Sequence, residues 1–505
     1  MLGPNLAHDY FWSSSGATIP YWRPLTKASW LVEYQLGGGA TWPFFAVQLG
    51  WLLVALLGVQ RLVRQLDGSP RAAAVAALLL ALHPSLVEPV ALVMARSDVA
   101  AGAGLILAVV GFVDWLRGAR LGLVAHLLGV VLALGSKEAS VVVAPLVVLL
   151  WLAIERPLEV RSLLRIAPSI VLVGVYLVLR RAVLADADPG ALGFDLLRVS
   201  VAGAAYLRQL APLALESSIR NLPRAEASST RALVGSLVTW LALAALAAAL
   251  LQRRFRRRDL RWQWLLLATL LPLAPVLLVK KVYVPSIEGK LPLADRWLLP
   301  SLLFSSVAMG LLFDRVARLR PRFGAALLLV VVGWAGARLL LVGGELAPYA
   351  TELALLDKED ATFARTPEAY RTEEDRCRAA DRQMIRAAAR NDVEAAQASM
   401  RSRPSSCAAR VDATFNLLSL LVRNRRFGDA RPLVDALLPR SAELDERNLG
   451  PFAYLAGTVL AETGDGGRAE RLLLEALARA VEQQGRTADA HTWSTRAQQC
   501  RAQPR

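Results

Sequence analysis

Several short polar groups interrupt a chain that is otherwise built of long apolar runs. They are Tyr21-Trp22-Arg23-Pro24-Leu25-Thr26, His83-Pro84-Ser85-Leu86-Val87-Glu88, Arg96-Ser97-Asp98, Ser136-Lys137-Glu138 and Leu293-Ala294-Asp295-Arg296-Trp297-Leu298-Leu299-Pro300. Lys280, Lys281 and Lys290 precede the last of them, and Asp9 stands alone near the start. Ionisable groups at membrane depth are costly and mark functional sites by default. Guanidinium and ammonium groups are what a phosphate needs, arginine binding its oxygens in a fork and lysine as a point charge. The carboxylates offer a proton acceptor for a hydroxyl nucleophile. The same residues have a plainer use. Arg23, Arg96 and Lys137 can pair with Asp98, Glu88 or Glu138 to tie helices together. His83 before Pro84 is a natural helix break, so a helix-end contact suits it better than a role as base.

The elements that must carry these groups follow from composition. The 505 residues are 55% hydrophobic and 20% charged. That exceeds the apolar share of an ordinary soluble domain and excludes a disordered or disulfide-stapled chain. Apolar segments fall at 43–60, 72–92, 98–116, 121–135, 139–154, 166–184, 197–214, 232–251, 262–279, 297–313 and 323–342. A crossing helix needs about 20 such residues. The expected fold is all-α, a polytopic transmembrane domain of about 10–11 apolar segments over 43–342. Residues 1–42 precede it as part of an outside loop, 343–375 form a linker, and 376–505 form a soluble helical domain.

The net charge of +16 does not ask for nucleic acid. Many arginines flank the apolar segments, as the positive-inside rule requires. The Arg253–Arg258 run, Arg61/Arg64/Arg71, Arg117/Arg120, Arg156/Arg161/Arg165 and Arg315/Arg318/Arg320/Arg322 all reach one side only if 197–214 does not cross. That segment carries Arg208, Gln209 and Pro212 and reads as re-entrant or interfacial. The polar groups of the opening paragraph and the tail then share the outside. Cys377, Cys407 and Cys500 form no CxxC, so neither a metal nor a redox motif is indicated. They can pair in an oxidising compartment, which leaves an odd one over.

In the tail, Arg390–Ala395, Asn424–Ala430 and Gly464–Ala469 match one another. Aligned on Ala395, Ala430 and Ala469, the spacings are 35 and 39, and the first two copies place a proline nine residues on. This resembles tetratricopeptide repeats, whose period is about 34. Taken in order, Tyr21–Leu25, His83–Glu88, Arg96–Asp98, Ser136–Glu138 and Asp295–Pro300, followed by repeats, resemble the bacterial relatives of the transmembrane and tetratricopeptide-repeat O-mannosyltransferases. These are integral membrane glycosyltransferases of the GT-C superfamily. The likeness covers about 21–342 and the tail, and departs from the family pattern at Trp297 and Pro300.

The resemblance implies a multi-pass protein of the bacterial inner membrane with periplasmic repeats. It implies transfer of a sugar, mannose in the family's name, from a polyprenyl-phosphate donor to a protein or glycan hydroxyl. It assigns donor phosphate binding to Arg296, Lys290, Lys137 and Arg96. Arg23, His83, Glu88, Asp98, Glu138 and Asp295 become further site residues, and no cofactor beyond the lipid-linked donor is required. The family's catalytic acid usually lies in the first outside loop, inside which this chain starts. Asp9 is the only acid before Glu33, and weak transfer by the chain as written is the expectation. A non-catalytic membrane-anchored repeat scaffold is the alternative. A transporter comes third, because broken segments fit one but no internal duplication does.

Overall fold

The protein is described by a computed structural model at residues 21–38, 40–154, 163–184, 195–211, 213–217, 222–256, 261–278, 290–291, 293–349, 368, 373–401, 411–443, 446–470 and 472–474. The chain divides into two compact units, with the boundary between Ala350 and Thr351. Asp9 lies outside the described residues, as do Lys280 and Lys281.

The first unit is a helical bundle. In chain order its helices are α1 (Pro24–Gly37), α2 (Trp42–Gln65), α3 (Pro70–Ala81), α4 (Val87–Ala91), α5 (Arg96–Leu116), α6 (Arg120–Ser136), α7 (Val143–Ile154) and α8 (Ala167–Val183). They continue as α9 (Gly203–Gln209), α10 (Arg224–Ala227), α11 (Thr230–Arg256), α12 (Arg261–Leu270), α13 (Leu273–Leu277), α14 (Leu299–Leu319) and α15 (Pro321–Leu346). Among the described residues the only sheet is a two-residue antiparallel ladder, with Leu222 opposite Leu291 and Pro223 opposite Lys290.

Among the described residues, five helical segments are long and apolar enough to cross a membrane: Trp42–Gln65, Val93–Leu116, Thr230–Ala249, Asp295–Leu319 and Pro321–Leu346. A sixth counts if α3 and Pro84–Ala91, bent by 59°, form one broken span. That content is compatible with a multi-pass membrane protein. Other apolar runs fold as shorter helices, among them α6, Glu138–Ile154 and Arg261–Leu277. Among its described residues, the 197–214 run holds a π-helical turn at Arg198–Ala202 and the seven residues of α9. At about 1.5 Å per residue it is too short to cross the roughly 30 Å of a bilayer core. The last long helix runs past 342 to Leu346.

Local chemistry explains the boundaries. Ser69 caps α3, its hydroxyl accepting from Ala72 N–H at 3.2 Å, and Pro70 takes the first-turn position where no N–H is needed. His83-Pro84 ends that helix because the residue before proline is pushed out of the helical region; His83 sits at ψ 131. Its Nδ1 accepts from Ser85 N–H at 3.2 Å, the helix-end contact expected of it.

The tightest packing joins α5 and α6. A Cβ on Gly104 would lie 2.5 Å from Ala133 N. One on Gly111, Gly122 or Gly129 would overlap the backbone nitrogen of His126, Trp115 or Ala108 respectively. Both glycine pairs recur at seven residues, so one face of each antiparallel helix is bare backbone. Small residues are how helices gain van der Waals contact in lipid, where no hydrophobic force drives them together. His126 sits inside this pair, its ring nitrogens bonded to Ala108 O at 2.8 Å and Ser169 Oγ at 2.7 Å. The consequence for the site is positional. The start of α5 and the end of α6 are held side by side.

The second unit contains α16 (Glu373–Ala389), α17 (Val393–Arg401), α18 (Val411–Arg423), α19 (Phe427–Leu437) and α20 (Glu446–Glu462). Three turns in it are equivalent. Asn391, Arg425 and Gly464 take positive φ at 56°, 56° and 87°. The next residue in each case, Asp392, Arg426 and Asp465, donates its N–H at 2.8 Å to Ala387, Leu421 and Leu460. From 391 to 425 is 34 positions and from 425 to 464 is 39. Five residues after each turn lie Ala396, Ala430 and Ala469, all fully buried. The alignment on Ala395 is therefore one residue out: Ala395 is exposed, and Ala396 is the small residue that lets the two helices meet. Cys377 in α16 is disulfide-bonded.

Candidate functional site

The polar groups of the first unit converge at one end of the bundle. Because α5 and α6 are clamped together, Asp98 in the first turn of α5 meets Lys137 at the end of α6 in a buried ion pair. Asp98 also gains from the helix N-terminus it occupies. Arg23, just before α1, reaches Glu138 with Nε at 3.2 and 3.1 Å from its two oxygens, and Ser97 Oγ with Nη1 at 3.1 Å. It also stacks over the Tyr21 ring, 4.8 Å to the centroid. Burial pushes the Tyr21 hydroxyl pKa above its ordinary value, against the nearby Arg23 charge.

The third limb comes from the turn before α14. Arg296 pairs with Glu88, whose other oxygen accepts Asp295 N–H at 3.0 Å. Ser217 Oγ donates to Asp295 at 2.6 Å. Tyr206 of α9, fully buried, accepts Ala294 N–H at 3.0 Å. Glu88 and Tyr206 together thus fix the backbone that presents Arg296. The three limbs share one electrostatic field. Arg296 acts on Asp98 and Arg23 as well as on Glu88, and Lys137 feels Arg23 and Arg296 besides Asp98.

The result is a cluster of three cations, Arg23, Lys137 and Arg296, matched by three carboxylates, Glu138, Asp98 and Glu88. Its exposure is uneven. The side chains of Arg23 and Lys137 are 12% and 10% exposed, that of Arg296 34%. Arg296 is therefore the most accessible of the three cations. It also lies 5.9 Å from the Trp297 ring centroid, as does buried Arg198.

Arg96 is placed elsewhere. It is fully buried, paired with Glu33 of α1, and donates to Gln48 Oε1 and Ser29 Oγ at 2.9 Å each and to Phe44 O. Its guanidinium is spent on joining α1, α2 and α5. Glu33 and Gln48 carry no motif. Their only sequence signals are a single acid in α1 and the first of three glutamines in α2. Lys290 contributes backbone to the short ladder, and its side chain is outside what is described. Tyr206 was not singled out by sequence reasoning, although Arg208 and Gln209 beside it were. Arg338, deep in α15, donates to Leu82 O at the broken helix at 2.9 Å and to Leu215 O, and forks onto Glu345 at 2.6 and 2.7 Å.

The opposite end of the bundle gathers the basic connectors. Arg61 pairs with Asp114 at 3.2 Å, Arg261 with Asp67 at 2.8 Å, and Arg318 Nη2 donates to Asp67 O at 3.1 Å. Comparison of the chain with protein-family models, with curated proteins and with solved structures finds no match.

Proposed function

We propose that the chain is an integral membrane glycosyltransferase of the GT-C type, working on a polyprenyl-phosphate sugar with the acceptor outside the cytoplasm. The observation that carries the reading is the convergence of Arg23, Lys137 and Arg296 from three separate segments, with Arg296 most open. In the reaction the bond from the sugar's anomeric carbon to the phosphate oxygen breaks. A bond from the acceptor oxygen to that carbon forms on the opposite face. The acceptor proton passes to a carboxylate, and the lipid phosphate leaves with its charge held by Arg296, Lys137 behind it. Repeats of tetratricopeptide type in the second unit would hold the acceptor, the 34-position spacing of its turns supporting that assignment. The disulfide at Cys377 supports an oxidising, outside location for this unit.

The test is donor affinity of detergent-purified protein. Arg296→Ala removes charge-assisted hydrogen bonds worth about 1.5–3 kcal/mol, so affinity for a polyprenyl-phosphate sugar falls roughly 10- to 150-fold. Arg315→Ala, at the basic end, leaves it unchanged. Equal affinity in the two variants removes Arg296 from the donor site. A membrane-anchored scaffold is the second reading. It is favoured by the closed pairing of all three cations, which already satisfies the cluster without a ligand.

A further inference from the structure

At the basic end of the bundle, a cavity of about 360 Å³ lies between α2 and α3, lined by Leu57, Gln60, Arg61, Arg64, Pro70, Ala73 and Ala74. Two features set it apart from an ordinary crevice between helices. One is charge. Arg61 and Arg64 both open into it, at the end of an apolar span. Among the described residues, Arg61 uses only Nη2, on Asp114, and Arg64 uses only Nη1, on Gly68 O at 2.7 Å. The other is what leads away from them. Leu49, Leu53 and Leu57 are each about half exposed, at 52%, 55% and 54%. Their spacing of four places them on one ridge of α2 that ends at Arg61.

We infer that this groove is a binding site for one anionic diacyl phospholipid, its phosphate held by Arg61 and Arg64 and one acyl chain lying along Leu57, Leu53 and Leu49. The charge complementarity is local: the apolar ridge ends where the arginines begin, at the depth of the headgroups. Ala73 and Ala74 leave room that a larger side chain would fill. Asp114 offsets part of Arg61, so Arg64 carries the larger share. By the positive-inside rule the leaflet is the cytoplasmic one, where basic pockets between spans hold acidic headgroups. The inference rests on the chain crossing a membrane and does not depend on the glycosyltransferase reading.

The shared chemistry is an anionic phosphate group, and free phosphate is the competing source. Purified protein is titrated with phosphatidylglycerol and, separately, with phosphatidylcholine of the same chains, and bound lipid is counted by native mass spectrometry. One phosphatidylglycerol is retained more tightly than any phosphatidylcholine, and millimolar inorganic phosphate does not displace it. Arginines near a membrane surface contribute about 1 kcal/mol each, so Arg61→Gln with Arg64→Gln weakens that one site roughly thirty-fold. Ala74→Trp is the second variant. It keeps both arginines, alters an exposed position and fills the groove, and it also loses the lipid. Equal retention of the two lipids, or an unchanged site in Ala74→Trp, overturns the inference. Displacement by inorganic phosphate overturns it as well, since the site is then one for the free anion.

Discussion

Replacing Lys137 by Met tests what the charge cluster contributes to the fold. The change keeps the length and apolar stem of the side chain and removes its charge. Asp98 stays behind, its side chain 4% exposed and its own partner gone. Breaking a buried pair by removing one member costs about 3–5 kcal/mol, because the remaining charge is left desolvated. The local terms place Lys137→Met in the lower half of that range. Asp98 keeps the α5 N-terminus, Ser97 Oγ at 3.4 Å and the field of Arg296. We therefore expect a loss of about 3 kcal/mol, with Asp98→Asn costing a similar amount. The double variant lacks both charges, and buried pairs exchanged for neutral groups are often nearly neutral overall. It should recover more than half of either single loss. The assay is the denaturant midpoint in detergent, read by tryptophan fluorescence as a double-mutant cycle. Losses that simply add in the double variant would refute the reasoning, because they would show that the two charges do not depend on each other.

Further outcomes follow from the same geometry. Gly111→Val drives a Cβ and its two methyl groups into the backbone at His126 and should abolish accumulation of folded protein, whereas Gly174→Val, where nothing lies within 4 Å, should be tolerated; comparable yields on size-exclusion chromatography would count against the helix clamp. Cys377 should resist alkylation until a reductant is added, and non-reducing peptide mapping will identify its partner; labelling without reductant would contradict the disulfide. Hydrogen bonds from Arg468, with smaller help from Arg431, hold the Asp465 carboxyl below its ordinary value of 3.8. Its contribution to the last turn is present above that value and is lost as pH falls through the depressed one, so Asp465→Asn should flatten the acid limb of proteolytic sensitivity near 463–468; an unchanged limb excludes it. Reporter fusions after Leu251 and after Glu345 should report cytoplasm and outside respectively, and a cytoplasmic signal from the second would make 197–214 a crossing segment.

Much of the site was legible because polar residues stand out against apolar runs. Arg23, Glu88, Asp98, Lys137, Glu138 and Arg296 were each visible as an interruption, and all six lie at or beside a helix end or break. Their exact partners were not legible. Arg96 and Asp98 appear as one motif, yet residues two apart on a helix point about 200° away from each other. Arg96 therefore faces α1 and α2 while Asp98 faces α6. Glu33 and Gln48 escaped notice because the buried guanidinium that needs them is distant in sequence, and only packing brings them together. The break of the 262–279 run into α12 and α13 was not legible either. Periodicity and hydropathy cannot separate a crossing helix from a short buried one such as α12. In the tail, Ala395 and Ala396 are indistinguishable by composition. The positive φ at Asn391 shows which one lies at the close approach.

The central claim is that a lipid-linked sugar phosphate docks at the Arg23–Lys137–Arg296 cluster. The most direct measurement is photocrosslinking of the purified chain with a diazirine-bearing polyprenyl-phosphate sugar, followed by peptide mapping. The account predicts adducts on the segments around Glu88, Lys137 and Arg296, lost when excess unmodified donor is present and much reduced in Arg296→Ala. Adducts confined to the second unit, or unaffected by competing donor, would contradict it.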